Sequence, residues 1–299
     1  MSTNDKPTQQ YILIIGAMKS GTTSLFATLA RHPKIAPAHP KEPGYFAFDD
    51  VNAQGLDWYD SLFDFDPDSQ AYRLDGSTDY TKAPFVTGVR ERMAAVPGAR
   101  FKLIYIMRHP LRRIESHARD VQRTRKEIGQ YNSKHADHSL DTSVSLQSLA
   151  MARYAEQLDV FADLFDAGDI FVTGLEDLKA EPAETLERLY RFLDLDFERK
   201  ATDITRKNVA KDRVSLSSSW SALTSNPFLL KVGKLFLSEA LQKKIKSRFR
   251  RRVVVEGRFD LTPEEEATLL SLLNDDLHRL QTRFGFDVER VWGIPVSMS

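Results

Sequence analysis

The hydrophobic pattern at the start of the chain predicts a buried strand followed by a helix. Residues Tyr11–Ile15 are continuously apolar and rich in β-branched side chains, as is typical of a parallel strand buried on both faces. Glycine and small polar residues follow, after which apolar residues recur at helical spacing up to Leu29, and Pro33 ends the pattern. A strand, a glycine-containing loop and a helix in this order indicate an α/β fold.

Two later apolar runs also have the composition of strands. Residues Phe101–Met107 lead into Pro110, which suits the first turn of a helix that reaches past Ser116. Residues Ile170–Thr173 follow an amphipathic stretch over 146–165, and 184–193 has the spacing of another helix. We therefore predict one α/β domain over 1–299, with a central parallel sheet flanked by helices and a P-loop-like architecture.

Three segments depart from this alternation. Residues 1–10 are polar and predict a flexible N-terminus, and the polar stretch 124–145 predicts a mobile loop at a substrate opening. We predict that residues 214–258 are a helical segment. The segment is basic, because ten basic residues occur from Lys231 to Arg258 and only two acidic ones. Such a stretch is most often a solvated helix face, and contact with an anionic lipid surface or an acidic acceptor is the alternative.

Composition limits the function classes. The 42 basic and 42 acidic residues cancel, which removes any bulk electrostatic argument for a nucleic-acid partner. The absence of Cys excludes disulfides, thiolate catalysis and Cys-ligated metals, and no His spacing is that of a metal site. No apolar run is long enough to span a membrane, and no signal core precedes Tyr11, so we expect a cytoplasmic protein.

The strongest chemical signal is the loop from Gly16 to Ser24. Its two glycines allow a tight turn around an anion, and the helix that follows presents unpaired N–H groups to it. A Walker A loop would carry a lysine directly after Gly21, but Thr22 stands there and Lys19 lies upstream. Arg108 ends the second predicted strand, where ligands of open parallel sheets bind, and Ser116 lies about 9 Å along the following helix from Pro110.

These motifs resemble those of sulfotransferases that use 3′-phosphoadenosine 5′-phosphosulfate (PAPS), in the glycan-modifying and bacterial branch. The run Lys19-Ser-Gly-Thr-Thr-Ser-Leu resembles the 5′-phosphosulfate loop, and Arg108 with Ser116 resembles the 3′-phosphate motif. The segment Lys41-Glu-Pro-Gly-Tyr-Phe is similar to one whose glutamate acts as a base. The resemblance is clear from Tyr11 to about Asp120 and implies the P-loop-like sulfotransferase fold.

The resemblance also implies roles for individual residues. Lys19 would stabilise the leaving phosphate, and Glu42 would take the acceptor proton. No metal is implied, and the product would be adenosine 3′,5′-bisphosphate (PAP). The remaining donor-binding candidates are Ser20, Gly21, Thr22, Thr23, Ser24, Arg108, Ser116, Lys211 and Arg213, and the substrate-side candidates are Lys41, Asp79, Lys82 and His117.

The chain departs from the family pattern at one position. Many glycan sulfotransferases carry a lysine in a Glu-Lys-Ser/Thr-Pro-x-Tyr segment, and the corresponding stretch here is Asp75–Tyr80, with Gly76 in the place of that lysine. Asp79 and Lys82 are therefore candidates for the same role. Lys211 and Arg213 are likewise candidates to replace a late loop that covers PAPS in this branch.

The residues leave two other function classes open. An ATP- and magnesium-dependent small-molecule kinase would use the same loop, although it needs the lysine that is absent after Gly21. A nucleotide-binding module without catalysis predicts that Glu42 lies far from this loop. Glycan, lipid and small-molecule hydroxyls or amines all fit as the acceptor, and the oligomeric state stays open.

Overall fold

The computed structural model describes the residues 9–128, 145–197, 214–216, 250–252 and 259–296. These residues divide into two compact units. The first contains 9–116, 145–197 and 261–296, and the second contains 117–128, 214–216, 250–252 and 259–260.

The first unit is built on a five-stranded sheet in which every pair of neighbouring strands is parallel. The order is β2-β3-β1-β4-β5, so the first strand of the chain lies at the centre. The predicted central parallel sheet is thereby confirmed. The strands are β1 (Gln10–Gly16), β2 (Ile35–Pro37), β3 (Tyr72–Asp75), β4 (Arg100–Met107) and β5 (Ile170–Gly174).

Helices connect and cover these strands. The predicted amphipathic stretch over 146–165 is divided into two helices, with a break at 151–153. The helices are α1 (Thr22–Leu29), α2 (Asp49–Asn52), α3 (Leu56–Asp60), α4 (Val89–Ala94), α5 (Pro110–Ile128), α6 (Leu146–Ala150), α7 (Tyr154–Ala162), α8 (Leu175–Ala180), α9 (Pro182–Phe192), α10 (Pro263–Phe284) and α11 (Val288–Trp292), with 3₁₀ turns at Thr78–Thr81 and Ala167–Asp169.

Strand β1 is buried from Tyr11 to Gly16 because both of its faces are covered. Successive side chains of a strand point to opposite faces. Ile12 and Ile14 belong to a hydrophobic cluster that includes residues of α1 and α9. On the other face, the ring of Tyr11 stacks on those of Tyr59 and Phe101, with centroid distances of 5.6 and 5.4 Å. The sheet therefore holds the end of β1 rigidly where the loop to α1 begins.

Helix α10 anchors the C-terminal part of the first unit. It begins at a capping box in which Thr262 and Glu265 exchange side-chain and backbone hydrogen bonds. Its Asp276 carboxylate accepts hydrogen bonds from the N–H groups of Ala155 (3.1 Å) and Glu156 (2.9 Å), which are in the first turn of α7. A carboxylate from a distant helix thus caps α7.

The buried carboxylate of Asp276 predicts a pH-dependent stability. Burial raises the pKa of Asp276 from its ordinary value of 3.8 to about 6, although the two N–H donors oppose the shift. The folded protein then binds this proton more tightly than the unfolded chain, so this contribution to stability is present below about pH 4 and is lost as the pH rises through 6. The free energy of unfolding of the wild type, minus that of Asp276→Asn, should fall by about 2 kcal/mol between pH 4 and pH 7 in chemical denaturation. A difference that does not change with pH would contradict this assignment.

The second unit contains the six described residues of the segment 214–258, for which a helical structure is predicted. Strands β6 (Val214–Leu216) and β7 (Arg250–Arg252) form an antiparallel pair, with Val214 opposite Arg252. At these six residues the chain is extended, not helical. The rest of the segment lies outside the described residues, as do 129–144 of the predicted loop. Residues 124–128 of that loop are helical, because α5 continues to Ile128, so the loop prediction is wrong there. Among the helices that the structure describes, none is long and apolar enough to cross a membrane.

Candidate active site

The loop between β1 and α1 has the geometry of an anion cradle. Lys19 and Gly21 both have left-handed backbone conformations, with φ values of 72° and 89°. Such a conformation is strained for a lysine, and strained residues cluster at functional sites. Gly21 occupies the N-cap position of α1 and has no side chain with which to cap it. The first N–H groups of α1 are therefore left for an external acceptor.

The polar side chains of the loop also fit a phosphate group. The hydroxyl of Ser20 is fully buried and has no hydrogen-bond partner within the described part of the chain. Thr22 is buried at the start of α1, and Thr23 and Ser24 are half-buried beside it. Backbone donors, hydroxyl groups and the Lys19 ammonium together make a donor set that suits an anion with several oxygens.

Gly16 is required at the end of β1 by packing. A Cβ atom there would lie 2.2 Å from Thr81 Oγ1 and 2.5 Å from Tyr105 Cε2. The Thr81 hydroxyl donates a 2.6 Å hydrogen bond to the carbonyl of Ile15, so it has little freedom to move aside. The first glycine of the motif thus allows the 3₁₀ turn at Thr78–Thr81 to close against β1.

Substitution of Gly16 should therefore destabilise the fold. We expect Gly16→Ala to lower the free energy of unfolding by about 1–3 kcal/mol, as overpacking does in other cores. Gly168→Ala is the matched control, because a Cβ atom at that glycine meets nothing within 4 Å. Urea denaturation of both variants tests the prediction, and equal stabilities would disprove it.

Arg108 lies beside the cradle because of the sheet order. Strand β4 is the parallel neighbour of β1, and Gly16 pairs with Tyr105. The N–H of Ala17 donates a 2.7 Å hydrogen bond to the carbonyl of Ile106, so the cradle loop leaves the sheet next to the end of β4. Arg108 follows β4 directly, and both it and Ser116 are half-buried. The two predicted anion sites therefore lie at the same edge of the sheet.

Residues remote in sequence hold the turn that carries Arg108. The hydroxyl of Tyr154 donates a 2.7 Å hydrogen bond to the Arg108 carbonyl. The N–H of His109 donates to one oxygen of Glu176 (3.2 Å), and Trp292 Nε1 donates to the other (3.1 Å). Burial, and then the nearby Arg112, lower the pKa of His109, which favours the neutral ring at physiological pH. No local motif marks these supports, so the sequence analysis missed them.

The Lys41–Glu42 pair lies at this edge too, beside α1. The Lys41 ammonium forms an ion pair with the Glu42 carboxylate and donates a 3.1 Å hydrogen bond to the carbonyl of Gly76, which follows β3. Its Nζ lies 5.7 Å from the ring centroid of Phe26, which is on α1. Glu42 therefore lies next to the helix that begins at the cradle, with a side chain that is 42% exposed.

Asp75 is the centre of a buried hydrogen-bond network under this segment. It is fully buried, and its carboxylate accepts hydrogen bonds from the hydroxyls of Tyr59 (2.8 Å), Tyr80 (2.6 Å) and Ser77 (2.6 Å), and from the N–H of Ser77 (2.7 Å). Burial raises the pKa of Asp75, and these hydrogen bonds oppose the rise. The network holds the turn after β3 in one conformation.

The same network supports the backbone around Glu42. The N–H of Gly44 donates a 2.9 Å hydrogen bond to the Ser77 hydroxyl, and the N–H of Phe46 donates a 3.4 Å bond to the Tyr80 hydroxyl. Both hydroxyls in turn donate to Asp75. The Asp75–Tyr80 segment is therefore a platform on which the segment from Lys41 to Phe46 lies.

The other predicted residues lie in the turn after β3, on α5 and outside the described residues. Asp79 and Lys82 form an ion pair within the turn after β3, with side chains that are 22% and 19% exposed. His117 is buried on α5. Lys211 and Arg213 lie outside the described residues. Among the residues that the structure describes, no group of three or more His, Asp or Glu side chains has the arrangement of a metal site, and the expectation that no metal is needed stays a prediction.

The sheet, the cradle and its neighbouring strand end are those of a P-loop-like α/β protein. The family model described as the sulfotransferase domain matches residues 9–269. The chain belongs to this family, which confirms both the resemblance and the enzyme class expected from the motifs.

The individual relatives share less than 30% sequence identity with this chain. A bifunctional heparan sulfate N-deacetylase/N-sulfotransferase 1 from Caenorhabditis briggsae is 28% identical over 200 residues, which are 62% of this chain and 22% of that protein. A heparan sulfate glucosamine 3-O-sulfotransferase 3A1 from Mus musculus is 29% identical over 189 residues, 61% of this chain and 45% of that protein. The chain thus spans less than half of these relatives. A sulfotransferase from Alicyclobacillus acidocaldarius shares the fold, with a TM-score of 0.57 at 20% identity over 92% of this chain and 96% of that one.

Proposed function

We propose that the protein transfers the sulfuryl group of PAPS to a hydroxyl or amine of a glycan, and releases PAP. The observation that carries this proposal is the position of the cradle and Arg108 at adjacent ends of β1 and β4. A donor with a phosphosulfate and a separate 3′-phosphate needs two anion sites, whereas a triphosphate does not. The cradle would hold the first group, and Arg108 with Ser116 the second.

The chemical step is an in-line displacement at sulfur. A bond forms between the acceptor oxygen or nitrogen and sulfur, and the bond between sulfur and the bridging oxygen of the 5′-phosphate breaks. Glu42 takes the proton of the acceptor, and the bonding electrons leave with the phosphate of PAP. Lys19 and the N–H groups from Ser20 to Thr23 stabilise the charge that develops on the leaving oxygens. Lys211 and Arg213 remain candidates for covering the donor.

A glycan acceptor is favoured over lipids and other small molecules by the relatives. Those at 28% and 29% identity are named for heparan sulfate, one as an N-sulfotransferase and one as a 3-O-sulfotransferase. The side chain of Glu42 is exposed at the edge of the sheet, as a base for a large acceptor must be. Asp79, Lys82 and His117 are the candidates for contacting that acceptor.

Calorimetric titration with PAP, and separately with ATP plus magnesium, tests the donor assignment. We expect at least a hundredfold tighter binding of PAP, because the Arg108 site has no partner in ATP. Equal or reversed affinities would contradict the proposal and favour the kinase. Incubation with radiolabelled PAPS and a panel of desulfated glycans then tests transfer, and PAP binding without transfer to any acceptor would favour a non-catalytic module.

A further inference from the structure

Lys41 is bonded twice to a residue that is 35 positions away. Its main-chain carbonyl accepts a 3.0 Å hydrogen bond from the N–H of Gly76, and its ammonium donates a 3.1 Å bond to the carbonyl of Gly76. The same ammonium pairs with the carboxylate of Glu42. One side chain therefore connects the end of β3 to the residue proposed as the base.

The absence of a side chain at Gly76 makes this arrangement fit. A Cβ atom at Gly76 would lie 3.0 Å from Lys41 Cε and 3.2 Å from its Nζ, and 2.9 Å from Cδ2 of Phe26. The backbone of Gly76 is not in the left-handed region, so glycine is not needed there for its conformation. The space beside Gly76 is occupied by the ring of Phe26, which has the nearest atom, and by the end of the Lys41 side chain.

The ion pair between Lys41 and Glu42 has little to contribute to stability. The two side chains are 21% and 42% exposed, and pairs of this kind are screened by water. The pair affects the orientation of the Glu42 carboxylate instead, because a free glutamate side chain samples many rotamers. An ammonium held by the Gly76 carbonyl restricts the Glu42 carboxylate to one side of the segment.

We propose that Lys41 is a positioning residue for Glu42, and that Gly76 is glycine because Lys41 lies in the space of its side chain. This inference rests on the proposed function, since it takes Glu42 as the base. In this role Lys41 acts by holding the carboxylate in place and not by contacting the reacting atoms. A shift of about 1 Å in a reacting group costs on the order of a hundredfold in rate.

Lys41→Met is the first test, because methionine keeps an unbranched side chain and removes the ammonium. Lys102→Met is a closely matched control. The Lys102 ammonium also pairs with a carboxylate, that of Asp169, donates to a glycine carbonyl, that of Gly168, and lies 5.0 Å from the ring centroid of Phe192. We expect Lys41→Met to lower kcat by about 10- to 100-fold, with the KM for PAPS unchanged within twofold, and Lys102→Met to leave both constants unchanged. Equal kcat values for the two variants would overturn the proposal.

Gly76→Ala tests the role of the glycine without altering any charge. The added methyl group should displace Lys41 and lower kcat about as much as Lys41→Met does. In the Lys41→Met background, Gly76→Ala should then lower kcat less than threefold, because the two changes remove the same interaction. If the losses in kcat from the two substitutions were fully additive, Gly76→Ala would act through Phe26. That result would refute the proposal that Lys41 is the reason for glycine at position 76.

Hydrogen–deuterium exchange provides a readout that is independent of turnover. The amides of Gly44 and Phe46 are bonded to the platform, and we expect them to exchange at least fivefold faster in Lys41→Met, but not in Lys102→Met. Unchanged exchange would overturn the positioning role. If the wild type shows no PAPS-dependent transfer, the proposed function fails, and the exchange data still decide whether Lys41 holds the Glu42 segment.

Discussion

Lys19→Ala is expected to lower kcat for sulfuryl transfer by about a thousandfold, while the affinity for PAP falls by less than tenfold. The reason is that the negative charge on the leaving oxygen grows in the transition state, so a cation aimed at it stabilises the transition state more than the bound donor. Single-turnover rates with saturating PAPS, together with calorimetry for PAP, separate the two effects.

Lys34→Ala is the control for Lys19→Ala. Lys34 is exposed and precedes β2, at the opposite edge of the sheet from the cradle. The Lys34→Ala variant should keep the kcat and the PAP affinity of the wild type. If Lys19→Ala turned over at the rate of Lys34→Ala, the assigned role of Lys19 would be wrong. A loss of PAP affinity with kcat unchanged would instead mean that Lys19 contributes to ground-state binding alone.

Glu42→Gln is expected to lower kcat by about 10²- to 10⁴-fold, the usual range for loss of a general base. Glutamine has nearly the same shape but cannot take up the acceptor proton. PAP affinity should stay within twofold of the wild type, because Glu42 lies beside the second turn of α1 rather than in the cradle itself. Steady-state kinetics at saturating donor measure the effect.

The control for Glu42→Gln is Glu184→Gln, an exposed glutamate in the first turn of α9. Its turnover should equal that of the wild type. Wild-type kcat in Glu42→Gln would remove Glu42 as the base and would leave proton transfer to solvent or to another residue. Both variants should have the same melting temperature, since the two carboxylates are exposed.

The long strands and the cradle were predictable because their signals are local. An apolar run such as Tyr11–Ile15 is buried on both faces in almost any α/β fold, and the predicted strands at 101–107 and 170–173 match β4 and β5 to within one residue at each end. Strands β2 and β3 were not predicted. They have three and four residues, and each owes its structure to pairing within the sheet rather than to its own pattern.

The break between α6 and α7 shows how tertiary contacts override periodicity. The amphipathic pattern over 146–165 favours one continuous helix. The carboxylate of Asp276 gives the N–H groups of Ala155 and Glu156 a partner, so a new helix begins there. The side chain of Gln157 also exchanges hydrogen bonds with the N–H and carbonyl of Ala83, at 2.8 and 2.9 Å. Neither partner could be inferred from the helix itself.

Sequence alone shows which chemical groups follow the predicted strands of this protein. The Gly16–Ser24 loop is recognisable from its own spacing after a buried strand, whereas Glu42 and the pair of Arg108 and Ser116 are recognisable by their resemblance to family motifs. Only the tertiary structure decided how those groups are held: Lys41 on Gly76, and Arg108 on Tyr154. Such contacts join residues 35 and 46 positions apart, and no local spacing rule encodes them, because they depend on the order of the strands in the sheet.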